Sequence, residues 1–246
     1  HREIFIDTIN KNGFLLEDIS FTVMQGIMEA QRKIARSEGT NVYANFVLDK
    51  NITIFDPVLN KDFEIDIFYK DFLAKTVLFL ECKNTDYSWI FGKNITEDKK
   101  DYIYPVFRRS SDKLEILRFE SSDINVEVFS SSACIMLDRN SFDDSKLKVV
   151  LSRGSPQVKE NFIYDALQQV LSQLQTYIKV KNLKDSSFFI PIIVTNADLF
   201  CMEYSNSLIE NGKLKDCLSM RLLPYLGYNL SKFIENSSGI IQDSHG

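Results

Sequence analysis

Two neighbouring stretches constrain the fold of this chain more than anything else in it. Residues 62–69 alternate polar and apolar side chains. Phe63, Ile65, Ile67 and Tyr69 fall on one face and Asp62, Glu64, Asp66 and Phe68 on the other, the period of a half-buried strand. Residues 76–84 open with an unbroken apolar run, Val77 to Leu80, as a strand covered on both faces requires. That run stops abruptly in Glu81, Cys82, Lys83 and Asn84. Lys70 and Asp71 open the short break between the two stretches, so together they read as a hairpin inside a sheet.

Alternate residues of a strand share a face, so Glu81 and Lys83 project together while Cys82 points away. Antiparallel pairing brings Asp66 beside them. Two carboxylates with water and phosphate oxygens suit magnesium, which retains several waters and rarely takes an all-protein cage. A neighbouring lysine can stabilise charge developing on phosphorus or acidify the attacking water. The bland alternative is a salt bridge of ordinary strand-end charges. A strongly apolar strand before Glu81, and an acid on the strand preceding it, favour the site.

Composition removes competing chemistries. The two histidines, His1 and His245, stand at the ends of the 246 residues. No interior histidine serves a Ser-His-Asp or Cys-His hydrolase or a histidine-ligated zinc. Neither a Gly-x-x-x-x-Gly-Lys-Ser/Thr loop nor a Gly-x-Gly-x-x-Gly turn occurs, so the usual nucleotide cradles are missing. An enzyme built from this chain works with carboxylates, lysines and a metal. The four cysteines form no Cys-x-x-Cys pair and read as reduced thiols, pointing to a cytoplasmic protein. No apolar run reaches membrane-spanning length. A net charge of −5 leaves any nucleic-acid contact to a local basic face.

Along the chain, residues 2–14 read as a short strand or extended arm. Residues 17–37 read as a helix, with Asp18 or Ser20 as cap and Gly39 as stop. Val23, Ile27, Ala30 and Ile34 form its apolar stripe, widened by Met24, Met28 and Ala35. Glu29 borders that stripe, either as a solvated charge or as a carboxylate leaning over the sheet. Residues 41–49 and 52–55 are strand-like. Residues 85–155 read as an insertion with its own small sheet or hairpins, rich in aromatics and carrying Arg108 and Arg109. Such a mixture can hold bases and phosphates, or be the core of a small lobe. Residues 159–181 form the clearest helix, with Gln169, Gln173 and Tyr177 recurring every four residues beside its apolar stripe. Residues 188–195 form a buried strand, and residues 199–234 give mixed signals.

This order of elements resembles the αβββαβ core of the PD-(D/E)XK, or restriction-endonuclease-like, nuclease superfamily. Asp66 matches its first acid and Glu81-Cys82-Lys83 its Glu-x-Lys element. Glu29 is similar to the acid that many members carry on the first core helix, and Gln173 with Tyr177 to the Gln-x-x-x-Tyr motif of exonuclease-type branches. Ile65 stands where the family name has proline. The resemblance implies an α/β fold in which a central mixed sheet is flanked by helices. It implies a single nuclease-like domain: a core at about 17–84 and 159–195, an insertion at about 85–155 and a C-terminal extension at 199–246.

The resemblance further implies a magnesium-dependent nuclease, with manganese as substitute, hydrolysing phosphodiester bonds of DNA, double-stranded by preference. Asp66, Glu81 and the Cys82 carbonyl would hold the metal, Glu29 would reach it through water, and Lys83 would prepare the attacking water. Gln173, Tyr177, Arg108 and Arg109 are candidates for phosphate contacts. An endonuclease of a restriction or phage-defence system is the implied setting, with a homodimer or a larger defence complex as the candidate assembly. The alternatives are an inactive nuclease-like assembly module and a nuclease for RNA or single strands.

Overall fold

A computed structural model of the chain describes residues 13–37, 46–57, 59–72, 74–96, 102–110, 113–120, 128–130, 134–138, 142–143, 148–149, 162–181, 187–229 and 241–243. The fold is α/β. Helix α1 (Phe14–Ser37) is followed by β1 (Phe46–Asp56), β2 (Lys61–Asp71), β3 (Thr76–Lys83), β4 (Tyr87–Asn94), β5 (Tyr102–Ser110) and β6 (Lys113–Glu120). Short strands β7 (Val128–Ser130), β8 (Cys134–Asp138), β9 (Phe142–Asp143) and β10 (Lys148–Val149) come next. Helix α2 (Phe162–Lys181) then leads to β11 (Ser187–Thr195) and β12 (Leu199–Tyr204). The chain closes with β13 (Ile209–Glu210), β14 (Lys213–Leu214), β15 (Ser219–Leu223), β16 (Gly227–Asn229) and β17 (Ile241–Asp243).

A seven-stranded mixed sheet in the order β1-β2-β3-β11-β5-β6-β17 forms the frame. Strands β1, β2 and β3 run as an antiparallel meander, and β11 lies parallel to β3, with α2 between them in the chain. The apolar run of β3 explains this central position. Val77 and Phe79, both fully buried, point into the cluster under α2, with Leu174, Tyr177 and Phe189. Leu78, Leu80 and Cys82 point into the cluster under α1, with Leu16, Phe21 and Met24. Since alternate residues of one strand take opposite faces, the two helices cover opposite sides of the sheet. Truncating Phe79 at such a site costs about 3–5 kcal/mol.

Four readings from the sequence change in the folded chain. The alternation across β2 reverses at Asp66: Ile65 packs under α2, whereas Ile67, two residues on, packs under α1. On β1 the same reversal separates Val47, under α2, and Leu48, under α1, from Ile52 and Ile54, both under α2. Between them sits Asn51 at φ 54, in the left-handed region that asparagine tolerates and β-branched residues do not. The register is unchanged through the reversal, Lys50 pairing Ile67 and Ile52 pairing Ile65. The pleat therefore turns over without an inserted residue, and Phe68, expected on the polar face, becomes core.

Helix α1 is the second change. It buries Ser20 and Met28, with Leu16, Phe21 and Met24 against the sheet, while Val23, Ile27 and Ile34 are exposed. Third, the 85–155 stretch is built into both larger sheets, with only the short β9-β10 pair, among the described residues, as a sheet of its own. Its β5-β6 hairpin extends the large sheet beside β11, and its β4 centres a four-stranded sheet in the order β15-β12-β4-β8. Fourth, the pieces expected at 41–49 and 52–55 are one strand, β1, for the residues described. The arm expected at 2–14 lies outside the described residues up to residue 12. Among the described residues, 199–229 form strands and one 3-10 turn, and the Asn211-Gly212 loop joins β13 to β14 with both residues at positive φ. No helix of the described residues is long and apolar enough to cross a membrane.

Candidate active site

Strands β2 and β3 pair from Asp71↔Thr76 to Ile67↔Leu80 and then part. Beyond that point the backbone groups find side chains instead of each other. The Cys82 amide donates to Asp66 Oδ2 at 2.6 Å, and the Glu64 carbonyl accepts from Gln173 Nε2 at 2.5 Å. The fork exists because the pleat reversal turns Asp66 toward the neighbouring strand.

Glu81, on the α2 side of β3, is 1 % exposed. Its Oε2 accepts from Gln173 Nε2 at 2.7 Å, and its Oε1 takes the Lys83 ammonium. Lys83 Nζ also donates to Gln169 Oε1 at 3.0 Å. Gln169 and Gln173, one turn apart on α2, thus lay a polar seam along Glu81 and Lys83. Both partners of Gln173 Nε2 are pure acceptors, which sets the amide's orientation. Its Oε1 is buried without a partner among the described residues. A cleft of about 370 Å³ adjoins the seam, lined by Lys61, Asp62, Glu64, Asp165, Gln169 and Gln173 among others.

The electrostatics are those of crowded acids. Burial first, then the Glu81 carboxylate, raises Asp66 from the ordinary aspartate range to about 6, against the lowering pull of the Cys82 amide and Lys83. Glu17, in the first turn of α1, is also raised, by burial and then by Asp66 and Glu64. The helix reaches the fork here because Gly13, at φ 55, starts it beside Asn84, and the Glu17 amide donates to the Gly13 carbonyl at 3.1 Å. On the α1 side the Cys82 thiol is buried and bonded to Ser20. Burial and then Asp66 push it up to about 12, which keeps it a neutral packing group.

The structure thus brings together Asp66, Glu81, Lys83, the Cys82 backbone and Gln173. It does not bring Glu29 to them. Glu29 is exposed, three turns and about 18 Å along α1 from Glu17. Glu17 is the acid at the fork, and the signal for it was its place in the first helical turn. Tyr177 lies one turn past Gln173 in the core, with ring centroids 5.2 Å from Phe68 and 5.3 Å from Phe79. Arg108 pairs with Phe188 and Arg109 with Ser187, at the opposite end of β11 from Val194 and its partner Cys82. Six residues of strand separate those ends by roughly 20 Å. Trp89, Phe91 and Phe107 are core residues rather than stacking platforms. The sequence places Gln169 on the polar stripe with Gln173 but does not assign it to Lys83, and it does not single out Asn196. Asn196 accepts from the Thr85 amide at 2.8 Å and donates to Asn84, tying the ends of β3 and β11 together.

Comparisons with family models, with curated proteins and with solved structures found no match for this chain.

Proposed function

We propose that this chain is a metal-dependent nuclease with a restriction-endonuclease-like core, hydrolysing DNA phosphodiesters at the β2-β3 fork. The observation that carries the reading is the pair Asp66 and Glu81 at one fork, with Lys83 shared between Glu81 and Gln169. The order α1-β1-β2-β3-α2-β11, with β11 parallel to β3, supports the same reading.

The donor set fits a hard divalent cation. Burial and then neighbouring negative charge raise both Asp66 and Glu17, and such an ion relieves the excess of negative charge. Among the described residues no three His, Cys, Asp or Glu form a complete cage. Magnesium needs no such cage, being held by one or two carboxylates with water and substrate oxygens completing its shell. Asp66 and Glu81 would hold it, and Glu17 would bias the site by charge. Bound there, the ion would neutralise the scissile phosphate and acidify water.

The chain's own residues divide the remaining work. Gln173 holds Glu81 by one oxygen and fixes its carboxylate plane. Gln169 gives Lys83 a second anchor, so the ammonium can turn from Glu81 toward a phosphate oxygen or the attacking water without losing all its bonds. The Cys82 amide holds one Asp66 oxygen and leaves the other for a ligand.

Plasmid cleavage tests the reading. Cleavage should require Mg²⁺ or Mn²⁺ and disappear in Lys83→Ala, and activity that survives both EDTA and that substitution refutes it. A second reading, an inactive assembly module with this core, draws on the full occupation of Glu81 by Lys83 and Gln173. It predicts no heat of Mn²⁺ binding in calorimetry with or without DNA.

A further inference from the structure

Helix α1 carries two apolar faces, and only one of them meets the sheet. Leu15, Ile19, Val23, Ile27 and Ile34 are each between 44 and 56 % exposed. Leu15, Ile19 and Val23 recur as Gly26, Ala30 and Ile34 eleven residues later. Eleven residues close three helical turns almost without drift, so the stripe runs nearly straight along the outside of a helix about 36 Å long. The buried Ser20, Met28 and their neighbours occupy a different side of the same cylinder.

We infer that this stripe is the contact through which two copies of the chain pair, α1 against α1, antiparallel about a twofold axis near residues 24 and 25. The register follows from the residues: Leu15 meets Ile34, Ile19 meets Ala30 and Val23 meets Gly26, large against small in the middle. A side chain at Gly26 would find open space, so a partner helix can approach closely there. Charge favours the antiparallel sense. Asp18, half-buried and bonded to Lys50 at 2.5 Å, stands at the N-terminal end, and Arg32, Lys33 and Arg36 are exposed at the C-terminal end, level with that acidic end of a reversed partner. The helix dipoles favour the same orientation.

The area is close to what a dimer needs. The stripe exposes about 450 Å² of apolar surface, the size of the largest patch on a typical monomer. Two such patches with their polar flanks approach the size of a stable interface, whose lower bound is about 1,000 Å² in total. A dimer of this kind is isologous, with each surface serving both roles. It would set the two Glu17 residues, and with them the two forks, about 22 Å apart along the helix axes.

Sedimentation velocity on the 246-residue chain at micromolar concentration is the test. A dimer is expected, weakened on the order of 100-fold by Ile19→Lys with Val23→Lys, with the circular dichroism of the monomer unchanged. Oxidative cross-linking reads the register. A mixture of Ile19→Cys and Ala30→Cys chains should cross-link, whereas Ile19→Cys alone should not. A monomer at every concentration overturns the inference. So does a dimer that survives the double lysine substitution, or one cross-linked by Ile19→Cys alone. All these readouts are independent of nuclease activity.

Discussion

Replacing Asp66 by asparagine should stabilise the fold at neutral pH while abolishing cleavage. Asp66 is held near pH 6 by burial and by Glu81, against an ordinary value of 3.8. At about 1.4 kcal/mol per pH unit, the charged form weakens the native state by roughly 3 kcal/mol, and solvent screening at this half-buried group reduces that to about 1–2 kcal/mol. Above pH 6 the carboxylate is charged in both native and unfolded chains, and the whole penalty is present. As the pH falls from 6 to 4 the native group takes up its proton first and the penalty fades. Below 4 both forms are neutral and it is gone. Asparagine keeps a carbonyl oxygen for the Cys82 amide and removes the charge that also raises Glu17. Thermal unfolding in EDTA at pH 8 should therefore show Asp66→Asn melting roughly 3–6 °C above the native protein. That gap should close by pH 4. A variant that is less stable at pH 8, or a gain constant between pH 4 and 8, refutes the reasoning. Added Mg²⁺ should raise the native melting temperature and leave that of Asp66→Asn unchanged, because only the former keeps both carboxylates.

Other perturbations follow from the same geometry. Gln173→Leu strands the Glu64 carbonyl and one Glu81 oxygen, and urea unfolding should register a loss of about 2–4 kcal/mol. Glu17→Gln should lower the Mg²⁺-induced rise in melting temperature, while Glu29→Gln, exposed three turns away, should leave it intact. Asn51→Val forces a β-branched residue into φ 54 and should lower stability by about 1–3 kcal/mol, whereas Asn51→Gly stays within about 1 kcal/mol of the native protein.

The residues themselves carried the central hairpin, the joint projection of Glu81 and Lys83 and the inward thiol of Cys82. These follow from a period of two and a run of apolar side chains, both local properties of the chain. The long α2 helix and its polar seam were legible for the same reason, because residues four apart share a face whatever the surroundings. Two features were decided only by tertiary packing. One is the pleat reversal at Asp66, set by the left-handed Asn51 on a neighbouring strand. The other is which side of α1 faces inward. That helix is apolar over so much of its circumference that its pattern permits two burial directions. Contact with Ile67, Leu80 and Cys82 selects the side with Ser20 and Met28. The choice sends Glu17 rather than Glu29 to the fork and leaves the Leu15–Ile34 stripe facing outward. Local periodicity says which residues share a face, and only the packed sheet says which face is covered.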